Sequence, residues 1–125
     1  MNILLLFIIT LMVYIYFMTA YFYKRSKERQ KKKSNFMIRA ISYFRQQNFD
    51  QAQYYFELAY KESVKLEDLH LAGESLYYLA LIHNKQGNNQ KAAKLIKDSL
   101  DYYQHVNDSE GFKKANDLMK EIPQN

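Results

Sequence analysis

Histidine is the side chain in this sequence best suited to proton transfer or metal binding near neutral pH. The three histidines are His70, His83 and His105, and no Asp or Glu recurs beside them at the spacing of metal ligands or of a catalytic base. The sequence also has no glycine-rich phosphate loop and no nucleophile elbow. We therefore predict that the protein is not an enzyme and that it has no metal, no cofactor and no small-molecule substrate.

The other polar groups fit structural roles. Glu62, Glu67 and Asp68 lie close together in the sequence, and we interpret them as solvated charge rather than as a metal site. The chain has no cysteine, which excludes disulfides, zinc–thiolate sites and thiol chemistry. Most of the tyrosines from Tyr54 to Tyr103 are expected to pack in a core or between helices.

The N-terminal stretch from Met1 to Tyr23 carries no charged side chain. As a helix, residues 3–23 would span roughly 31 Å, which is close to the hydrocarbon thickness of a bilayer. A cleaved signal peptide would have a basic start, a shorter apolar run and a cleavage site between small residues, and none of these is present. We predict a single transmembrane anchor over residues 1–23.

The positive charge of the chain is concentrated directly after this stretch. Residues 24–33 hold seven Lys or Arg against one Glu, whereas residues 34–125 hold 11 basic and 12 acidic residues. The net charge of +5 is thus local, and it does not indicate nucleic-acid binding. Because basic residues stay on the side of synthesis, we predict a basic juxtamembrane segment over 24–33, with the N-terminus outside and residues 34–125 inside.

The remaining part of the chain is predicted to be all-helical. Only three Gly and one Pro occur in the whole sequence, so β-turn signals are nearly absent. Residues 34–125 contain an internal repeat whose period, about 40 residues, lies in the range typical of repeat folds. At that offset Ala40 aligns with Ala80, Ala52 with Ala92, Phe56 with Ile96, and Ala59 with Ser99.

Each repeat unit is predicted to be a pair of antiparallel helices. The units cover residues 34–66 and 69–106, and a single capping helix follows over 108–122. The helices of the units are expected at about 34–46, 50–66, 69–86 and 89–106. Gly87 should end its helix in the left-handed conformation, and Asn48 is expected to do the same in the first unit. Asp108 or Ser109 should be the N-cap of the last helix.

This pattern resembles the tetratricopeptide repeat, which has small residues in both helices, a glycine at the turn and an aromatic residue in the second helix. The residues that carry the resemblance are Ala40, Ala52, Phe56, Ala59, Ala80, Gly87 and Ala92. Gln47 stands where the repeat usually has glycine, and the period exceeds the usual length. The resemblance implies a short α-solenoid of about 2.5 helical hairpins that binds proteins.

An anchor, a basic junction and a few such repeats together resemble the photosystem I assembly family of plastids and cyanobacteria. The resemblance implies an anchor in the thylakoid membrane and repeats in the stroma that assist the assembly or stability of photosystem I. Its partners would be photosystem I subunits or assembly intermediates. The alternative is a bacterial inner-membrane tetratricopeptide protein whose repeats serve another membrane or secretion complex at the cytoplasmic face.

In stacked helical hairpins, the first helix of each unit lines the inner surface of the array. The faces of these helices that are not used for pairing predict a groove with an apolar floor and a basic edge. Its residues are Met37, Ile41, Phe44, Arg45, Glu74, Tyr77, Leu81, Asn84 and Lys85. Such a groove suits an amphipathic or extended peptide whose carboxylates meet Arg45 and Lys85. The alternative for each residue is burial against a neighbouring helix.

Overall fold

A computed structural model describes residues 2–123, all of whose regular elements are helices. The helices are α1 (Ile3–Arg45), α2 (Phe49–Lys65), α3 (Leu69–Lys85), α4 (Asn89–His105) and α5 (Ser109–Glu121). Met1, Gln124 and Asn125, and the side chains of Lys32, Lys33 and Ser34, lie outside the described residues. The predicted all-α class and its helical hairpins are confirmed.

The chain divides into two compact units, Met1–Lys32 and Lys33–Asn125, and α1 runs through the boundary between them. The first helix of the repeat region was expected to begin near residue 34, whereas the backbone is already helical from Ile3. In the first unit, apolar side chains are exposed on every face of the helix, and Phe7 is 73% exposed. This helix is long enough and apolar enough to cross a membrane.

All four turns between the helices have the same backbone conformation. Each contains one residue with positive φ, and these residues recur at equal intervals: Gln47 (62°), Glu67 (57°), Gly87 (80°) and Asn107 (56°). In the first turn, the Gln47 N–H donates to the Phe44 carbonyl at 3.0 Å and the Asn48 N–H donates to the Tyr43 carbonyl at 3.0 Å. The other three turns repeat this Schellman pattern, which satisfies the last carbonyls of each helix.

The residue after each left-handed position is the N-cap of the next helix. The side chains of Asn48, Asp68 and Asp108 accept hydrogen bonds from backbone N–H groups three residues further on, as N-caps do. The expectation that Asn48 ends a helix in the left-handed conformation is therefore wrong, because Gln47 takes that role and Asn48 caps α2. The expectations for Gly87 and for Asp108 are confirmed.

The four residue pairs aligned above by the repeat period form the centre of the core. All of them are 0% exposed: Ala40, Ala52, Phe56, Ala59, Ala80, Ala92, Ile96 and Ser99. Alanine at these positions lets neighbouring helix backbones approach closely. The Phe56 ring stacks on Tyr78 with centroids 4.8 Å apart, and the Phe44 ring lies edge-on to both. These three rings join α1, α2 and α3.

The C-terminal half of the core depends on glycine and serine as well as alanine. The Ser99 hydroxyl of α4 donates to the Gly73 carbonyl of α3 at 2.7 Å, so the two helices meet almost backbone to backbone. Ala115, Leu118 and Ile122 are buried with Tyr103, and Gly111 packs against the Tyr103 ring. Helix α5 therefore covers the end of the core, as a capping helix does.

Candidate protein-binding surface

Helix α3 contacts the C-terminal part of α1 and also contacts α5. Helix α1 contacts α3 through Phe44 and Tyr78, whose ring centroids are 5.4 Å apart. Helix α3 contacts α5 through Tyr77 and Lys114. The first helices of the two hairpins and the capping helix thus form one layer, which is the layer that was predicted to line the inner surface.

Two residues of the predicted groove pack largely into the core. Met37 is only 5% exposed, and the Ser75 hydroxyl donates to its Sδ at 3.4 Å. Its predicted place on the binding face is therefore corrected, because α3 covers it. Phe44 is half-buried, and its ring contacts Phe49 and Phe56 as well as Tyr78.

The other predicted residues retain accessible surface. Arg45 and Lys85 are exposed, whereas Ile41, Glu74, Tyr77, Leu81 and Asn84 are half-buried. Ile41 and Arg45 line a cavity of about 440 Å³ on α1 together with Ile38, Ser42 and Gln46. The structure brings these two predicted residues together, and no α3 residue lines that cavity. Whether these residues bind a partner stays a prediction.

Helix α5 contributes a charged residue that the sequence interpretation did not include. The Lys114 Nζ lies 4.4 Å from the ring centroid of Tyr77 and 5.8 Å from that of Tyr78. The sequence interpretation treated α5 only as a cap. Lys114 follows Glu74 by one repeat period, as Ala80 follows Ala40. Extending the repeat register by one unit would therefore have placed Lys114 on the same surface as Glu74.

Burial raises the pKa of both tyrosines on α3, and nearby charges modify the effect. Tyr78, Glu121 and Asp117 further raise the pKa of Tyr77. Glu74 raises the pKa of Tyr78, whereas Arg45 lowers it. Both phenols are therefore neutral at physiological pH and keep their hydroxyl protons. The carboxylates that act on these rings thus lie on α5 and, through Glu74, on α3, and the cations near them are Arg45 and Lys114.

A second cavity, of about 300 Å³, lies between the N-terminal ends of α3 and α5. It is lined by His70, Glu74, Tyr103, Asp108, Glu110, Gly111 and Lys114. The His70 Nδ1 lies 2.8 Å from the Asp108 Oδ2. The sequence interpretation missed this pair because the two residues are distant in the sequence, and only the turn before α5 brings Asp108 to α3. Burial, then Glu74 and Asp108, raise the pKa of Tyr103.

The other two histidines occupy different surroundings. His83 is 6% exposed, and its Nδ1 has no hydrogen-bond partner among the described atoms. Burial lowers the pKa of His83, Lys91 lowers it further, and Glu57 raises it.

His105 lines a cavity of about 440 Å³ with Asp98, Asp101 and the paired tyrosines Tyr60 and Tyr102. Burial and the hydrogen bond to Tyr102 raise the pKa of Tyr60 to about 12. No three described His, Cys, Asp or Glu side chains form a metal-binding group.

The comparisons with known proteins agree with the repeat geometry. A family model described as the tetratricopeptide repeat matches residues 36–105, which is more than half of the chain. The match begins in α1 and ends at His105, the last residue of α4. No curated protein and no solved structure matches the chain. The tetratricopeptide fold is a scaffold for protein–protein interaction, and this chain belongs to the tetratricopeptide-repeat family.

Proposed function

We propose that the protein is a membrane-anchored, protein-binding scaffold that assists the assembly or stability of photosystem I in the thylakoid membrane. Its repeats would lie in the stroma, and its N-terminus on the opposite side of the membrane. One observation supports the membrane-anchored scaffold: a helix segment with exposed apolar side chains on every face occurs in the same chain as tetratricopeptide repeats.

The exposed segment is the argument for an anchor. Leaving apolar surface in water costs roughly 25 cal/mol per Å², and a helix that is apolar all round has no polar face to turn toward water. Ile3, Phe7 and Phe17 are all more than 60% exposed, and a bilayer would cover them. The basic residues from Lys24 to Lys31 are exposed directly after the segment, and they support the proposed orientation.

The inner layer of helices is the argument for binding. Tyr77 and Leu81 keep accessible apolar surface on α3, and Arg45 and Lys85 provide charge near one end of that layer. A membrane anchor would hold this surface near membrane-embedded partners, which raises the effective concentration of a weak interaction without new contacts. The choice of photosystem I rests on the resemblance of the anchor, the basic junction and the repeats to that assembly family. The residues of the surface do not identify the partner.

Affinity purification from mild detergent tests the proposed function. The full tagged chain should recover photosystem I subunits, and the double variant Tyr77→Ala, Leu81→Ala should lose them. The matched control Tyr54→Ala, Val64→Ala removes the same kinds of side chain from exposed positions of α2 and should keep them. Circular dichroism must show equal helix content in the two variants. Envelope or secretion proteins as partners would favour the bacterial alternative, and the absence of any specific partner would refute the scaffold.

Two further measurements test the membrane part separately. An anchored chain resists extraction by alkaline carbonate, whereas a peripheral one is released. Protease added to intact thylakoid vesicles, whose outer surface is the stromal one, should digest the repeats without detergent. Release of the chain by carbonate would contradict the proposed anchor, and protection of the repeats in intact vesicles would contradict its orientation.

A further inference from the structure

We propose that the face between α3 and α5 binds a basic side chain of the protein partner, a Lys or Arg, on the Tyr77 ring where the Lys114 ammonium now lies. This inference rests on the proposed function, since it specifies the chemistry of the partner at the same layer of helices. It changes the expectation from the sequence, which emphasised partner carboxylates at Arg45 and Lys85.

The first argument is that the structure already holds a cation on this ring. The Lys114 Nζ lies 4.4 Å from the Tyr77 centroid, well within the distance at which the electron-rich ring face attracts an ammonium group. Among the described residues, no carboxylate forms an ion pair with Lys114. Its side chain is exposed and long, so it can leave the ring at little cost when another cation arrives.

The second argument is the charge around the rings. Asp117 and Glu121 act on Tyr77, and Glu74 acts on Tyr78 and Tyr103. The adjoining cavity of about 300 Å³ adds Glu110 and Asp108. Asp108 is already engaged, because it caps α5 and contacts His70. Glu74 and Glu110 form no ion pair with a described residue, so both remain able to pair with an incoming cation.

The third argument is that an acidic side chain of the partner would fit this face less well than a basic one. An acidic side chain on this face would meet Lys114 but would also approach Glu74, Glu110 and Asp117, and like charges repel. Arg45, the last residue of α1, provides positive charge that acts on Tyr78. Near α5 the surface therefore carries carboxylates around the ring on which Lys114 is the resident cation, and near α1 it carries Arg45. A partner segment with a basic residue at the α5 side and an acidic residue at the α1 side matches this order.

The experiment uses the full chain in nanodiscs of zwitterionic lipid and three capped pentapeptides. They have the sequence Leu-Ala-X-Ala-Leu, where X is arginine, its neutral isostere citrulline, or glutamate. Binding is followed by the chemical shifts of labelled tyrosine rings. The arginine peptide should shift the Tyr77 and Tyr78 resonances and bind about two- to fivefold more tightly than the citrulline peptide, as expected for an exposed cation–π contact.

Variants on both elements sharpen the assignment. Lys114→Gln removes the resident cation and should raise the affinity for the arginine peptide about two- to fivefold, whereas Glu74→Gln should lower it by a similar factor. Lys113→Gln is the matched control, because it removes the same charge from the adjacent exposed position and should change nothing of this size. Lys114 and Lys113 are exposed, so neither substitution should unfold the repeats.

The inference is overturned if the arginine and citrulline peptides bind equally, or if none of the peptides shifts the tyrosine resonances. It is also overturned if the glutamate peptide binds best and Lys114→Gln abolishes that binding, since Lys114 would then be an anion-binding residue. These outcomes leave the proposed function standing as long as the double variant at Tyr77 and Leu81 still loses its partners in affinity purification. Loss of specific partners for the wild-type chain would instead refute the proposed function itself.

Discussion

The N-terminal part of α1 and the repeats are both helical and both rich in apolar residues, yet they use those residues in opposite ways. Phe7 in the first region is exposed, and so are its apolar neighbours on every face. Phe56 in the second region is 0% exposed, and its ring stacks on Tyr78. The comparison shows that helix formation does not determine the surroundings of a helix. The distribution of apolar residues around its axis determines them.

The largest expected effect comes from truncating the same residue type in each region. Phe56→Ala should lower the free energy of unfolding of the repeats by about 3–5 kcal/mol, because it leaves a cavity between aromatic rings. Phe7→Ala is the matched control and should leave that free energy unchanged. Denaturant unfolding of the full chain in nanodiscs, followed by circular dichroism, measures both. Equal effects of the two substitutions would contradict the comparison.

A charge introduced into each region tests what surrounds it. Val13 and Val64 have similar exposed fractions, 48% and 43%. Val13→Lys should disfavour membrane insertion by about 2.5–3.5 kcal/mol, because a lysine near the centre of a spanning helix is costly in hydrocarbon. Val64→Lys should leave the chain in the membrane fraction, since Val64 faces water. Membrane fractionation after carbonate treatment measures the result, and equal partitioning of the two variants would argue against an anchor.

The repeats should also show a pH dependence of stability that comes from the buried His83. Because burial lowers the pKa of His83, the unfolded chain takes up a proton at a higher pH than the folded one. Stability should therefore fall as the pH drops below about 6.5, the ordinary pKa of histidine. His83→Leu should reduce this fall, whereas His105→Gln at an exposed position should not. Unfolding curves between about pH 7 and pH 5 measure the difference, and identical pH profiles for His83→Leu and wild type would refute the role.

The smallest expected effect concerns the turns that only the repeats possess. Gln47→Gly should stabilise the fold by about 0.5 kcal/mol. Glycine removes the steric strain that glutamine has at a positive φ, and this gain is partly offset by the larger entropy of glycine in the unfolded chain. Gln86→Gly is the matched control, since Gln86 has a φ of −84° and the same substitution there should destabilise. Thermal unfolding compares the two variants. A shift of both in the same direction would show that the sign of φ does not matter.

Much of the fold could be predicted from the sequence because small residues recur at the positions where the repeat helices pack. The repeat period placed the helices after α1 close to their observed bounds, and the aligned alanines all lie in the core. The position of the first left-handed residue did not follow. Asparagine tolerates that conformation better than glutamine, but the turn has no spare residue and Asn48 is needed to cap α2. The requirement of the next helix overrides the preference of the single residue.

The candidate surface was harder to predict because it depends on contacts between distant elements. Met37 lies on the predicted face of α1, yet α3 covers it through Ser75. Lys114 lies on the inner layer although α5 was expected to serve only as a cap. Extending the repeat register by one unit would have found Lys114. No local pattern would have paired His70 with Asp108.

The four matching turns have a consequence for how such an array grows. Because each junction joins two helices through one left-handed residue followed by an N-cap position, a segment of one full period copied in frame would connect at both ends without a new kind of turn. The array would lengthen by one whole hairpin, and its inner layer by one helix. Copying only half a period would instead exchange inner and outer helices downstream of the insertion and would bring charged outer residues into the core. Natural length variants of this chain should therefore differ by whole multiples of the period.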